Sequence, residues 1–160
     1  MTEEAIQPFY PKIEILDEAY EIPQLGRKRR ISVLLPHNYY ETDKRYPVLY
    51  LHDGQNLFDE YAPYGNWGVD KALNRLAYQG YEDVIIVAID HGGVLRIQEL
   101  LPYVTPRYTE AEGDLYLRFM LEDLKPMIDN RFRVLPGRAF TGIGGSSLGG
   151  LLSLYAGFEY

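Results

Sequence analysis

Two uninterrupted apolar segments, residues 46–51 and 84–89, constrain the fold of this chain more than any other feature. Segments of this kind are typical of strands that are buried on both faces of a parallel sheet. Between them, the apolar residues of 69–76 recur at helical spacing, and Asp70 lies in the first turn, where the helix dipole favours a negative charge. The pattern predicts a strand–helix–strand unit, the building block of α/β folds.

The residues before this unit predict two further strands. Apolar and polar residues alternate over 12–15 and over 31–35, as expected of strands with one face in contact with solvent. Residues 24–27 fit a hairpin connection between them, and Pro36 ends the second strand. These two strands are therefore predicted to be antiparallel.

The residues after the unit predict two helices and one more central strand. A long amphipathic helix is expected over 117–128, preceded by Asp114, because its apolar residues follow an i, i+3, i+4, i+7 spacing. Residues 140–144 predict a third central strand, and a helix follows at once over 148–155. Residues 1–160 are therefore predicted to form one α/β domain, with a sheet that is antiparallel at its start and parallel afterwards.

The composition excludes several classes of protein. The chain has 16 Lys and Arg against 23 Asp and Glu, and its net charge of −7 argues against a nucleic-acid partner. The basic cluster at 27–30 precedes a predicted strand and is interpreted as the solvent-exposed start of that strand, with a patch for an acidic partner as the alternative.

The chain contains no Cys, which excludes disulfides and thiolate sites. No apolar run is long enough to span a membrane, and the acidic residues 1–4 do not resemble a signal peptide, so a cytoplasmic location is expected.

Residues 145–149, Gly-Ser-Ser-Leu-Gly, match the pattern G-x-S-x-G between a predicted strand and a predicted helix. In so sharp a turn the backbone of the central serine, Ser147, is strained and its Oγ is exposed, while Gly145 and Gly149 avoid side-chain collisions. The following helix directs backbone N–H groups, among them that of Leu148, at a developing oxyanion. The alternatives are a Gly/Ser loop packed on the sheet and a phosphate-binding loop, which the lack of a G-x-x-x-x-G-K-[ST] string disfavours.

A second polar segment, His52-Asp53-Gly54-Gln55, follows the first central strand. Functional groups in open α/β sheets collect at the carboxyl ends of the strands, and Gly54 allows the chain to turn there. The backbone N–H of Gln55 is therefore predicted to be the second donor to the oxyanion. His52 is interpreted as a hydrogen-bonded structural imidazole.

The next central strand ends in Asp90 and His91, which raises the alternative of a metal site shared with His52 and Asp53. Adjacent residues of a strand point to opposite faces, so these pairs would not converge easily. Neither a metal nor another cofactor is predicted for this chain.

Aromatic residues are concentrated in the loops that follow the central strands. Tyr61 and Trp67 follow the first of these strands, and Tyr103 follows the second. They are predicted to form a substrate cleft suited to aromatic or sugar-linked esters, with simple packing of the loops as the alternative.

Five stretches together resemble the esterase branch of the α/β-hydrolase superfamily, which includes enterochelin-esterase-like, feruloyl-esterase-like and esterase-D-like enzymes. The resemblance covers roughly residues 10–160 and implies an α/β-hydrolase fold of which this chain is the N-terminal part. It also implies a serine carboxylic-ester hydrolase that acts on a small-molecule ester without a cofactor. Ser147 would be the nucleophile, and the backbones of Leu148 and Gln55 would form the oxyanion hole. The stretches are YLHDGQNLF (50–58), WGVD (67–70), IDHGG (89–93), LKPMID (124–129) and GSSLGG (145–150).

A serine nucleophile needs a base and an acid, which in α/β-hydrolases follow it in the order Ser, Asp or Glu, His. The thirteen residues after Ser147 contain Glu159 and no His, and Glu159 is expected at the far end of the last helix. We therefore expect this chain to be part of a longer enzyme. The alternatives are that a second chain supplies the missing residues, or that one of the three preceding histidines is the base. An exposed sheet edge would favour association into oligomers. An acyltransferase and a non-catalytic binding module are the functional alternatives. The three preceding histidines are His37, His52 and His91.

Overall fold

A computed structural model describes residues 7–160, which form a mixed five-stranded sheet in the spatial order β1-β2-β4-β3-β5. β2 pairs antiparallel with both β1 and β4, whereas β3 pairs parallel with β4 and β5. The predicted change from antiparallel to parallel pairing is confirmed. The strands are β1 (Lys12–Ile22), β2 (Arg27–Leu35), β3 (Val48–His52), β4 (Ile85–Ile89) and β5 (Thr141–Gly144).

Helices fill the connections between the strands, and two of them confirm helices predicted at 69–76 and 148–155. A π-helical turn, Met120–Leu124, joins α4 to α5, and we attribute it to Pro126, which has no N–H to continue the regular ladder. The predicted helix over 117–128 is therefore present, but one of its turns is widened. The helices are α1 (Gln55–Phe58), α2 (Val69–Tyr78), α3 (Arg96–Leu100), α4 (Gly113–Phe119), α5 (Lys125–Arg131) and α6 (Leu148–Glu159).

The helices cover the sheet on both faces, because alternate residues of the central strands belong to two different cores. On one face, Val87 of β4 packs in a large cluster with Leu117 of α4 and Leu152 of α6. On the other face, Ile86 and its neighbours pack against Leu73 of α2. Burial on both faces explains why the central strands read as continuous apolar runs.

The prediction of one solvent-exposed face was wrong for β2. Every residue from Ile31 to Leu35 is buried, and even Ser32 is only 2% exposed. The reason is that both of its faces are covered: Val33 belongs to the cluster that includes α4 and α6, and Leu34 belongs to the cluster on the other face. β1 is also longer than predicted, because register shifts between Ile15 and Tyr20 interrupt the alternation on which the prediction depended.

The interpretation of residues 27–30 as a solvent-exposed cluster holds for Lys28, whose side chain is 63% exposed, but was wrong for the three arginines. Arg29 is only 7% exposed, and its guanidinium donates to Glu99 at 2.6 Å. Arg27 binds Glu99 at 3.0 Å and also pairs with Glu112. The carboxylates come from segments about 70 residues or more along the chain, so local sequence could not reveal them.

At the edge of the sheet away from β1, β5 has a neighbouring strand on one side only among residues 7–160. All four residues of β5 are half-buried, in contrast to the fully buried β4. Within residues 7–160, no helix is both long and apolar enough to cross a membrane. The acidic residues 1–4 lie outside the described residues.

Candidate active site

Ser147 lies in the turn between β5 and α6 with φ 55° and ψ −119°. This combination is strained for a residue with a side chain. In the described chain, Asp53 is the only other non-glycine residue with a positive φ, at 57°. Each of these two residues lies just beyond the carboxyl end of a parallel strand, β5 and β3 respectively.

Gly145 and Gly149 allow this turn to lie directly on the imidazole of His52. A Cβ at Gly145 would lie 3.0 Å from Cδ2 of His52 and 3.0 Å from the carbonyl carbon of Gly149. A Cβ at Gly149 would lie 3.3 Å from Cβ of His52. The glycines therefore serve the close approach of the turn to β3 as well as the turn itself.

His52 is fully buried beneath the turn, and its Nδ1 lies 3.3 Å from the hydroxyl of Tyr116. Among residues 7–160 its Nε2 has no hydrogen-bond partner. Burial lowers the pKa of His52 from 6.5 to about 4, so the ring is neutral near pH 7. These features support a structural role for this imidazole.

Polar contacts hold the turn that follows β3. The N–H of Gly54 donates to the carbonyl of Ile89 at 2.8 Å, and a Cβ at Gly54 would lie 2.7 Å from Oδ1 of Asp90. The amide side chain of Gln55 bonds twice to the backbone of His91: its Nε2 donates to the carbonyl at 3.1 Å, and its Oε1 accepts from the N–H at 2.8 Å. The turn is thereby joined to the end of β4.

The carboxylate of Asp53 points back into the same region and is bound by Arg96. Nε and Nη2 of Arg96 each donate to a different oxygen of this carboxylate at 2.7 Å. The Asp53 side chain is 2% exposed and that of Arg96 is 19% exposed. The hydrogen bonds to Asp53 raise the pKa of Arg96, so its guanidinium stays protonated. Sequence reasoning missed Arg96, although a buried carboxylate at a strand end implies a cationic partner in a neighbouring loop.

Ser147 opens onto a cavity of about 270 Å³. Trp67 lines this cavity, whereas Tyr61 lines a second pocket with Gln55, and Tyr103 is among the lining residues of neither. No histidine of residues 7–160 lines the cavity. Its lining residues are Asp53, Asn56, Tyr64, Trp67, Arg96, Ser146 and Ser147.

The two predicted oxyanion donors occupy equivalent places. Gln55 is the first residue of α1 and Leu148 is the first residue of α6. The first N–H groups of a helix have no acceptor within the helix and can serve a ligand. Glu159 lies at the opposite end of α6 from Ser147, as the sequence indicated.

The residues considered as an alternative metal site are otherwise engaged. Asp90 accepts from Nε of Arg30 at 2.9 Å, and burial raises the pKa of this carboxyl. Nδ1 of His91 accepts from the N–H of Gly93 at 3.0 Å. Within residues 7–160, no three His, Asp or Glu side chains are grouped so that they could hold a metal ion.

The fold is that of an α/β-hydrolase, and the sequence agrees. Residues 22–160 match the family described as "Putative esterase", and the chain belongs to this family.

The most informative relatives are one curated protein and two solved structures. The chain is 25% identical over 138 residues to the uncharacterized protein YbbA of Bacillus subtilis (strain 168), covering 82% of this chain and 52% of YbbA. It resembles a ferulic acid esterase of Anaeromyces mucronatus with 26% identity and a TM-score of 0.64, over 92% of this chain and 54% of that one. An IroE-like serine hydrolase of Shewanella oneidensis has 24% identity and a TM-score of 0.68, over 91% of this chain and 45% of that one. This likeness supports the fold. The chain thus spans about half the length of the relatives it matches.

Proposed function

We propose that this protein is a carboxylic-ester hydrolase in which Ser147 attacks the ester carbonyl and forms an acyl-enzyme. The observation that carries the proposal is the strained backbone of Ser147, φ 55° and ψ −119°, at a strand–helix turn that opens onto a cavity. Such a backbone on a residue with a side chain persists only where the surrounding structure requires it. Membership of the esterase family supports the same chemistry.

The proposed reaction uses backbone groups to bind the developing negative charge. As Oγ of Ser147 adds to the carbonyl carbon, the carbonyl oxygen becomes an oxyanion, which accepts hydrogen bonds from the N–H groups of Leu148 and Gln55. When the oxyanion collapses, the bond from the carbonyl carbon to the alcohol oxygen breaks, and the alcohol leaves with the proton taken from Ser147. Water then hydrolyses the acyl-enzyme, releasing the carboxylic acid and free Ser147. The N–H of Leu148 begins the twelve-residue helix α6, whose dipole favours the same charge, whereas the N–H of Gln55 begins the single turn α1.

The base that receives the proton of Ser147 is assigned to a histidine beyond residues 1–160. No described histidine lines the cavity, and this chain spans about half of its relatives. His52 does not fit this role because it lies beneath the turn and its pKa is lowered to about 4.

The proposed substrate is an ester with an aromatic group. Trp67 and Tyr64 line the cavity beside Ser147, and large flat side chains suit stacking on such a group. The likeness to a ferulic acid esterase supports this class of substrate. The cytoplasmic location, the state of assembly and a substrate contact by Tyr61 or Tyr103 remain predictions.

The test uses the full-length natural protein with p-nitrophenyl esters and a serine-directed fluorophosphonate probe. Ser147→Ala should lower kcat/KM by about 10⁴-fold or more and abolish labelling, because the nucleophile is lost. Ser153→Ala is the matched control, since Ser153 lies in α6 and its Oγ donates to the carbonyl of Gly149. Turnover that survives Ser147→Ala would contradict the proposal, and binding of an aromatic ester without hydrolysis would identify a binding module instead.

A further inference from the structure

The ion pair between Asp53 and Arg96 lies beside the turn that carries one of the two proposed oxyanion donors. Asp53 lies two residues before Gln55, the proposed oxyanion donor, and its backbone has φ 57°. The N–H of Asn56 donates to the carbonyl of Asp53 at 2.8 Å, so the direction of the Gln55 N–H depends on the backbone of Asp53. Asp adopts this backbone conformation more readily than most residues with a side chain but does not favour it, so contacts of its side chain help to hold it.

Arg96 is well suited to hold it. A guanidinium with two parallel hydrogen bonds fixes both the position and the plane of a carboxylate, which a single contact does not. At 2% exposure the Asp53 side chain has almost no water to replace Arg96 as a partner. The carboxylate therefore stays where the guanidinium holds it.

Arg96 is itself attached to the scaffold. It is the first residue of α3, a helix that contacts both α4 and α6. Glu99 of the same helix is buried and is bound by Arg29 of β2 at 2.6 Å. A chain of contacts thus connects the interior strand β2, through α3, to the turn that follows β3.

We propose that Arg96 is a positioning residue of the ester hydrolysis, holding Asp53 so that the N–H of Gln55 faces the oxyanion formed at Ser147. This inference rests on the proposed function. A guanidinium that lines the cavity could instead bind the substrate directly. The two roles differ in what they change: a positioning residue lowers kcat, whereas a substrate contact used equally in the ground state raises KM.

The experiment is a double-mutant cycle in the full-length natural protein with a p-nitrophenyl ester. The variants are Arg96→Gln, Asp53→Asn and both together, where Asn is chosen because it tolerates a positive φ. We expect each single variant to lower kcat by about 10–100-fold, somewhat less than the about 10²–10³-fold for complete loss of an oxyanion donor. KM should stay within about threefold, and the double variant should be no slower than the slower single variant.

Arg96→Lys is the conservative variant and keeps the charge without the two parallel bonds. It should fold as the natural protein does and give a kcat between those of the natural protein and Arg96→Gln. If Arg96→Gln does not fold, as judged by thermal melting, an unchanged kcat in Arg96→Lys overturns the proposal. Arg118→Gln is the matched control, because Arg118 forms an exposed pair with Glu122 on α4 and should leave kcat and KM unchanged.

A raised KM with an unchanged kcat, additive losses in the double variant, or unchanged kinetics in Arg96→Gln would each overturn the positioning role. Ser147→Ala, measured alongside, separates this failure from that of the proposed function. If Ser147→Ala is inactive and Arg96→Gln is unchanged, only the positioning role fails. If Ser147→Ala retains turnover, the proposed function itself fails.

Discussion

Two turns of this molecule place a residue with a side chain in the left-handed region, and they are held there in different ways. The turn after β3 contains Asp53 at φ 57°, and the turn after β5 contains Ser147 at φ 55°. Hydrogen bonds and an ion pair hold the first, from Gly54, Gln55 and Arg96. Close packing of glycines on an imidazole supports the second.

The difference predicts how each turn tolerates change. Hydrogen bonds can be removed one at a time, so the turn after β3 should lose its geometry gradually. The turn after β5 leaves no room for added atoms, so it should respond sharply to volume and to anything that disturbs His52. The following predictions test this contrast, from the largest expected change in free energy to the smallest.

The largest effect is expected from the charge state of His52 beneath the second turn. Its pKa is lowered by burial from 6.5 to about 4, so between these values the unfolded chain binds a proton that the folded chain does not. The stability that neutral His52 provides is complete above pH 6.5 and is lost as the pH falls toward 4, by at most about 3 kcal/mol. Urea unfolding as a function of pH measures this change.

His52→Gln should reduce the fall in unfolding free energy between pH 6.5 and pH 4. The natural protein, measured in the same buffers, provides the reference slope. An equal slope in His52→Gln and in the natural protein would show that His52 does not carry this pH dependence.

Gly145→Ala should destabilise the protein by about 1–3 kcal/mol, because the added Cβ would lie 3.0 Å from both His52 and the backbone of Gly149. The measurement is the free energy of unfolding in urea. Gly157→Ala is a matched control in α6, where a Cβ meets nothing within 4 Å, and alanine should stabilise that helix by about 0.5–1 kcal/mol. Equal effects of the two substitutions would contradict the close-packing account of the second turn.

Gln55→Ala tests the first turn and should have the smallest effect. It removes two hydrogen bonds to the backbone of His91 but keeps the N–H of residue 55. We expect kcat to fall about tenfold and KM to change little, since misplacement of a donor affects the transition state most. Gln79→Ala, at the exposed end of α2, is the control. A loss as large as that of Ser147→Ala would mean that the side chain of Gln55 itself takes part in the reaction.

Much of the fold could be predicted because the central strands are buried on both faces. That burial leaves a direct mark in the sequence, and β3, β4 and β5 were all located to within two residues. The first two strands were harder to predict. The shifts in β1 interrupt its alternation, and the burial of β2 depends on helices that cover its two faces only in the folded chain.

In the site, too, some features could be predicted from the sequence and others could not. Gly54 and the G-x-S-x-G pattern mark the two turns in the sequence, because glycines are needed where backbones approach closely. The partner of Asp53 could not be predicted, because Arg96 is 43 residues away along the chain. Contacts of this kind depend on the order of strands in the sheet rather than on local pattern.

The reversed direction of β2 has a consequence for the distribution of charge. Because β2 is antiparallel to β4, Ile31 at the middle of β2 pairs with Ile89 at the carboxyl end of β4. The arginines that precede Ile31 therefore reach the edge where acidic side chains gather, and Arg30 alone binds both Asp90 and Asp59. In a chain of net charge −7, this one strand carries compensating positive charge to the edge of the sheet at which a negatively charged oxygen is proposed to form.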